Sequence, residues 1–327
     1  MKDFLMEIAG VFGPAGDEGL IREYITEKIK DIADEIRVDA MGNLIALKKG
    51  SGEGKRVMVA AHMDSIGIMV TNVEKEGYLR FATIGGVNPQ VLVNQKVMFK
   101  NGIIGVVTSE DKNASSLYID IGAIDDADAK NMVSFGDYGV YYAPSAELAN
   151  DVIASPYMDN RVSCLVAIEA LKRMKNVKHD VYFVFTTQEE VGLRGAKAAA
   201  YSVMPDIGIA VDVTGTGDNL STNKHMAVRM GAGAAIKIKD GSVLCHPKVK
   251  AMIENIAREN EIPYQLEILE YGGTDTSAIQ LTGAGIPAGA ISIPARYIHS
   301  MSETVSLSDV EACITLLTKT LESDMVL

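Results

Sequence analysis

Two adjacent carboxylates, Glu189 and Glu190, close the apolar run Asp180-Val181-Tyr182-Phe183-Val184-Phe185-Thr186-Thr187-Gln188. Such a run reads as a strand buried on both faces of a parallel sheet. Open α/β sheets keep their chemistry at the carboxyl ends of these strands. A Glu-Glu pair alone could equally be a solvated acidic turn, but other strands end in the same way. Val57-Met58-Val59-Ala60-Ala61 runs into His62-Met63-Asp64, and the run Ile207 to Val213 carries Asp212. Asp159 precedes a helical pattern, and His299 follows the strand that ends near Ile293. Taken singly, Asp159 could cap a helix, His299 could be a surface histidine, and Asp212 could bond a neighbouring turn. Gathered at one sheet edge, carboxylates and imidazoles repel or desolvate one another unless a cation compensates. The expectation is a divalent metal site, and five candidate ligands are enough for two ions. Mixed His and carboxylate donors suit Zn²⁺, Co²⁺ or Mn²⁺. In an extended chain residues i and i+2 point to the same side, so the Asp64 carboxylate could accept the second N–H of the His62 imidazole and fix its tautomer.

The elements that must position these groups follow from periodicity. Leu20, Ile21, Tyr24, Ile25 and Ile29 repeat at helical spacing, with Asp17 as the expected cap. Strands are expected at Ile36–Val38 and Leu44–Leu47, around a Met41-Gly42-Asn43 turn. After Asp64 short strand patterns (67–71, 78–83, 96–99, 103–107, 117–121) alternate with Gly, Asn, Asp and Pro turns, broken by one brief helical stretch at 125–132. That texture is the signature of a small β barrel or sandwich. The α/β pattern resumes at Asp159: helices at 162–174, 195–201, 247–260 and 276–281, strands at 207–213, 234–238, 264–269 and 288–293, and a last helix to Leu321 capped by Ser308. The fold class is α/β. A catalytic domain of 1–64 and 159–327 is interrupted by an all-β insert of 65–158.

At 327 residues two domains are the default. A 47% apolar fraction supports a large core, while a net charge of −12 argues against nucleic acid and against an anionic membrane surface. No transmembrane run is expected. Met1–Glu7 carries acids within its apolar pattern and lacks the long apolar region of a secretory leader. Cys164, Cys245 and Cys313 are odd in number and far apart, which suits reduced core thiols and a cytoplasmic protein.

His62-Met63-Asp64-Ser65-Ile66-Gly67, Met158-Asp159-Asn160-Arg161-Val162, Gln188-Glu189-Glu190-Val191-Gly192-Leu193-Arg194-Gly195, Val211-Asp212-Val213 and Tyr297-Ile298-His299-Ser300 together resemble the tetrahedral (TET) aminopeptidases. These are dinuclear metallopeptidases whose members are often labelled glutamyl aminopeptidase or endoglucanase. The resemblance covers nearly the whole chain in order and implies a zinc-peptidase-like mixed sheet between helices. It implies that Asp159 bridges two metals, that His62 and Asp212 complete one and Glu190 and His299 the other, that Glu189 is the general base, and that Asp64 partners His62. It further implies a cis Asp159–Asn160 peptide, and Asn160 stands where many relatives carry Asp. Peptide substrates and self-association into a dodecamer through the inserted domain are implied as well. Arg296 and Arg229 are candidates to line a substrate pocket. A metal-dependent deacylase and a non-catalytic, metal-stabilised peptide-binding protein are the alternatives. A glycosidase is disfavoured, because two carboxylates acting on a sugar bond need neither the histidines nor a metal.

Overall fold

The computed structural model describes residues 1–52, 54–111, 116–175, 177–220 and 226–327. The chain opens with helices α1 (Lys2–Ala9) and α2 (Gly19–Ile29), the hairpin β1 (Glu35–Val38) and β2 (Leu44–Lys48), and β3 (Arg56–His62). Then come β4 (Gly67–Val73), β5 (Leu79–Ile84), the single turn α3 (Pro89–Leu92), β6 (Lys96–Phe99), β7 (Ile104–Ser109), β8 (Leu117–Asp120), α4 (Asp126–Met132) and β9 (Tyr138–Tyr141). The remainder is β10 (Ala146–Leu148), β11 (Val152–Ser155), α5 (Met158–Arg173), β12 (Asp180–Thr186), α6 (Arg194–Val203), β13 (Ile207–Gly215), β14 (Ala234–Lys239), α7 (Pro247–Glu259), β15 (Tyr264–Ile268), α8 (Asp275–Gln280), β16 (Ala288–Arg296), β17 (Glu303–Ser306) and α9 (Leu307–Glu322).

One large mixed sheet runs β1-β2-β12-β3-β13-β16-β17-β11-β10, with β14 joining β16 and β15 joining β14. Its centre, β12-β3-β13-β16, is parallel. The continuous apolar runs are explained by burial on both faces. Val57, Val59 and Ala61 of β3, with Val181, Phe183 and Phe185 of β12, pack into the core under α1, α5, α7 and α9. The alternate residues Met58, Ala60 and Val184 pack into a second core with α6 and α8. The same alternation places His62, Thr186 and Asp212 on the α6/α8 side of their strands, at neighbouring carboxyl ends. Thr186 stands opposite His62 in the parallel register. One strand parity and one sheet edge thus deliver three site residues.

The insert is a closed antiparallel barrel in the order β4-β5-β8-β7-β6-β9, with its own core of Ile68, Val70, Leu79, Val97, Phe99, Val107 and Ile119. Strands β10 and β11, which fall within 65–158, hydrogen-bond into the large sheet through β17. Four strands have no counterpart in the periodicity: β9, β10, β11 and β17 hold three or four residues each. At that length alternation carries almost no signal. Two expected caps are also corrected. The residue before α2 is Glu18, and the Asp17 carboxylate instead pairs with Lys100 of the barrel at 2.7 Å. Helix α9 begins after Ser306 rather than Ser308, and the two hydroxyls bond each other at 2.8 Å. All three cysteines are free and buried, and among the described residues no helix is long and apolar enough to cross a membrane.

Arg161 ties the N-terminal segment to α5. Fully buried, its guanidinium donates to the carbonyls of Ile8 (3.3 Å), Val11 (2.8 Å) and Gly13 (3.1 Å). Charge-assisted bonds of this kind are the strong ones, and losing them leaves buried carbonyls unpaired. Arg161→Leu is therefore expected to lower stability by at least about 3 kcal/mol, read as a shift of the urea midpoint. An unchanged midpoint would mean that α1 is held by its apolar face alone.

Candidate metal centre

The organising segment after β12 is held from outside the sheet. Asn43 Oδ1 accepts the Thr187 amide at 3.0 Å, and its Nδ2 donates to the Gly195 carbonyl at 3.0 Å. Gln188 is then driven into the left-handed region at φ 54°, a strained conformation that persists where the surroundings over-determine it. The turn places Glu189 and Glu190 on either side of the Asp64 carboxylate, which accepts both their amides (3.0 and 3.2 Å). Here the structure differs from the expectation for Asp64. The nearest partner of His62 Nδ1 is the Asp64 backbone carbonyl at 3.1 Å, and the Asp64 carboxylate stands 3.7 Å away. The ring is still fixed by residue 64, but through its main chain.

All the candidate ligands converge. His62 Nε2 lies 3.1 Å from Asp159 Oδ1, 3.7 Å from Asp212 Oδ1 and 3.8 Å from Glu189 Oε2. His299 Nε2 lies 3.3 Å from both Asp159 Oδ2 and Glu190 Oε2. Two groups of donors result, His62/Asp159/Asp212 and Asp159/Glu190/His299, each with its ligand atoms within 4.8 Å of one another. Asp159 belongs to both, offering one oxygen to each histidine.

Several supporting residues carry no signal in the sequence, because their partners are distant in the chain. Glu303, buried at the start of β17, accepts the Asp159 amide with Oε2 and the His299 amide with Oε1, both at 2.7 Å. A single carboxylate so fixes the main chain of one member from each half. The carbonyl of Gly86, on the barrel loop between β5 and α3, lies 3.1 Å from His299 Nδ1 as its acceptor. A Cβ there would stand 2.5 Å from that nitrogen, so only glycine permits the approach. Asp275 of α8 accepts the Thr186 hydroxyl at 2.5 Å just beneath. The Asp159–Asn160 peptide is cis. The Asn160 amide donates to the Val211 carbonyl at 3.0 Å, a bond an ionised Asp could not make.

The electrostatics are those of a cage short of positive charge. Burial opposes the imidazolium of His62, yet Glu189, Asp159, Asp212 and Asp64 raise it well above the ordinary histidine value. His299, likewise opposed by burial, is pushed up to about 12 by Asp159 and Glu190. Burial raises Glu189 and Asp212 well above the usual carboxylate range, partly offset by His62. Burial would raise Asp159 too, but hydrogen bonds from His299 and His62 outweigh it and hold it low. Glu190 Oε1 is buried without a hydrogen-bond partner, and Asp159 Oδ1 has only the His62 imidazole beside it; buried polar atoms left short of partners call for one. Orphaned oxygens, excess carboxylate and paired His/Asp donors together fit two divalent cations.

A cavity of about 640 Å³ opens from this cluster. It is lined further by Leu193, Thr214, Lys237, Tyr271, Thr274, Arg296 and Ile298. Of the two arginines expected at a pocket, Arg296 is there and Arg229 is not among the lining residues. Residues 42–316 match the profile of the family described as M42 glutamyl aminopeptidase. A putative aminopeptidase of Acetivibrio thermocellus is 51% identical over 97% of each chain. Among solved structures, an aminopeptidase of the archaeon Desulfurococcus kamchatkensis superposes with a TM-score of 0.94 at 36% identity, covering 98% of this chain and 94% of its own. The TET1 peptidase of Pyrococcus horikoshii, described as assembling into a tetrahedron or a large octahedral shell, gives 0.90 at 32% identity over 98% of both.

Two outcomes are expected of the cage itself. Glu303→Gln keeps the shape but offers one acceptor where two amides need one each, and metal affinity should fall by about 10- to 100-fold in a competition with a chromophoric chelator. Without cations His62 and His299 hold protons at neutral pH, and a nitrogen must lose its proton to ligate. Loading should therefore release protons, and affinity should weaken as pH falls by about tenfold per unit for each proton displaced. Calorimetry in two buffers of different ionisation enthalpy reads this directly, and buffer-independent heats would contradict it.

Proposed function

Because this chain belongs to the M42 glutamyl aminopeptidase family, we propose that it removes N-terminal residues from peptides at a dinuclear centre, with Glu189 as general base. The observation that carries this reading is Asp159, shared by two His/carboxylate groups, with the Glu189 carboxylate 3.8 Å from His62. His62, Asp159 and Asp212 would hold one ion and Asp159, Glu190 and His299 the other; Zn²⁺ or Co²⁺ suits the donors best, with Mn²⁺ possible. Two such cations supply a polarised carbonyl and a water of lowered pKa.

The rest falls to the protein. Glu189 is buried beside the ligands without being needed as one, so its carboxylate is free to take a proton from the attacking water and return it to the leaving amine. Adjacent residues just past a strand diverge, which lets Glu190 face the ions while Glu189 faces the substrate. The acidic cluster receives the free α-amine of the peptide, restricting cleavage to the N-terminus. Asp64 holds the amides of both glutamates, and Glu303 those of Asp159 and His299, so the groups need not reorganise during turnover. The catalytic unit comprises 1–64 and 159–327, joined by β10 and β11 from the end of the insert, and the barrel serves assembly into a homo-oligomer, a dodecamer by analogy. Exposed Ile104, Val106, Ile124 and Phe135 on the barrel and its loops favour that role, since apolar clusters at a surface mark contact sites. Light scattering should give a mass of many 35.0 kDa subunits.

Release of p-nitroaniline from aminoacyl p-nitroanilides should vanish with EDTA and return with Co²⁺ or Zn²⁺. Glu189→Gln should retain metal yet lose about 10²- to 10⁴-fold in kcat. Surviving activity in that variant would remove the base assignment. Metal-independent release, or none across a broad panel, would remove the aminopeptidase mechanism.

A further inference from the structure

The segment from Thr187 to Gly195, which carries Glu189 and Glu190, leaves and re-enters the fold through one narrow base. There the Gly195 amide donates to the Thr187 carbonyl at 3.0 Å, and the Arg194 amide to the Gln188 carbonyl at 3.2 Å. The Thr187 amide and the Gly195 carbonyl are both taken by Asn43, a fully buried side chain from the hairpin between β1 and β2. Gly195 makes this possible, since a Cβ there would stand 2.3 Å from Asn43 Oδ1.

The way round that Asn43 sits is set on the hairpin itself. Asp39 Oδ1 accepts the main-chain amides of Met41 (2.9 Å) and Asn43 (3.0 Å), and its Oδ2 accepts Asn43 Nδ2 at 2.7 Å. A carboxylate is an acceptor only, so Asn43 turns its nitrogen to Asp39 and its oxygen to Thr187. That orientation is the one that pairs both ends of the segment. The Thr187 hydroxyl donates to the Met41 carbonyl at 3.0 Å, and Arg22 Nη1 to the Gly42 carbonyl at 3.3 Å, so α2 and the end of β12 both grip the same turn. Neither Asp39 nor Asn43 lines the cavity, so their influence on the reaction is indirect.

We propose that Asn43, oriented by Asp39, is a positioning residue for Glu189: by closing the base of the 187–195 segment it sets where that carboxylate stands over the cage. This rests on the reading of Glu189 as general base. On the cage side the Asp64 carboxylate holds the amides of Glu189 and Glu190, and those bonds survive the loss of Asn43. Glu190 then stays with the ions while the rest of the segment loosens. A reacting group displaced by about 1 Å can lose about 10²-fold in rate. Asn43 therefore acts on turnover rather than on metal or substrate affinity.

Asn43→Asp tests this without changing shape. Its second oxygen would face Asp39 Oδ2 and the Gly195 carbonyl, replacing two hydrogen bonds by two repulsions. The full-length protein is loaded with Co²⁺ and assayed on the best substrate of an aminoacyl p-nitroanilide panel. In Asn43→Asp kcat should fall by about 10²-fold, with KM within about twofold of the parent value and Co²⁺ content unchanged. The double variant Asp39→Asn/Asn43→Asp returns a donor to the contact between the two side chains and should recover about tenfold of the loss. Independently of activity, peptides covering 187–195 should exchange their amide hydrogens faster in Asn43→Asp, while the barrel exchanges as in the parent. Should Asn43→Asp not fold, Asn43→Ala removes the clamp without adding a charge and carries the same expectations for kcat, KM and exchange. A kcat within about twofold of the parent, a loss lying in KM or in Co²⁺ content, no recovery in the double variant, or unchanged exchange over 187–195 each overturns the inference alone. A parent protein that releases none of the panel overturns it together with the aminopeptidase reading.

Discussion

The structure turns on an electrostatic imbalance at the carboxyl edge of one parallel sheet. Asp159, Glu189, Glu190 and Asp212 crowd around two imidazoles, and among the described residues no lysine or arginine forms an ion pair with any of them. Buried charges are tolerated when paired, and here the pairing is deficient by roughly the charge that divalent ions would bring. Asp159 is the pivot, because its two oxygens face different histidines. Its backbone is accordingly the most constrained in the site, held at the amide by Glu303 and followed by a cis peptide.

The sheet explains why groups so far apart in the chain meet. His62 and Asp212 end parallel strands on the same parity, while Glu189 and Glu190 follow β12 through a turn that Asn43 and Asp64 enforce. The barrel also takes part. Gly86, on its loop between β5 and α3, orients His299 through the imidazole nitrogen that faces away from the carboxylates. Lys100 of the barrel, paired with Asp17, braces the same junction from outside. The insert therefore contributes to the geometry of the cage even within one subunit.

Much of this was legible in the residues. β3, β12 and β13 are long, apolar runs whose polar ends name the chemistry, and the alternation of short strands and turns after Asp64 announces a closed β unit. Glu303, Asp275 and Asn43 were not legible, since each acts through a partner between 89 and 144 residues away, and a lone carboxylate or amide has no periodicity. Asp17 and Ser308 were misread for a related reason. Both have the right chemistry to cap a helix, but Lys100 of the barrel takes the Asp17 carboxylate, and the Ser308 hydroxyl bonds that of Ser306 two residues earlier. Asp64 is intermediate: its place beside His62 follows from strand geometry, while its bonds to the glutamate amides depend on how β12 ends.

The same reasoning separates the centre of the sheet from its margin. The ion cage sits on the central parallel strands, where register and burial from both faces leave little freedom. Strands β14 and β15, which carry Lys237 and Glu267, join the sheet from outside its main path through β16. Lys237, buried between the carboxylates of Glu267 and Asp240, is a poor device for stability, because an apolar trio of similar volume would avoid the desolvation altogether. Two carboxylate oxygens there also lack any hydrogen-bond partner.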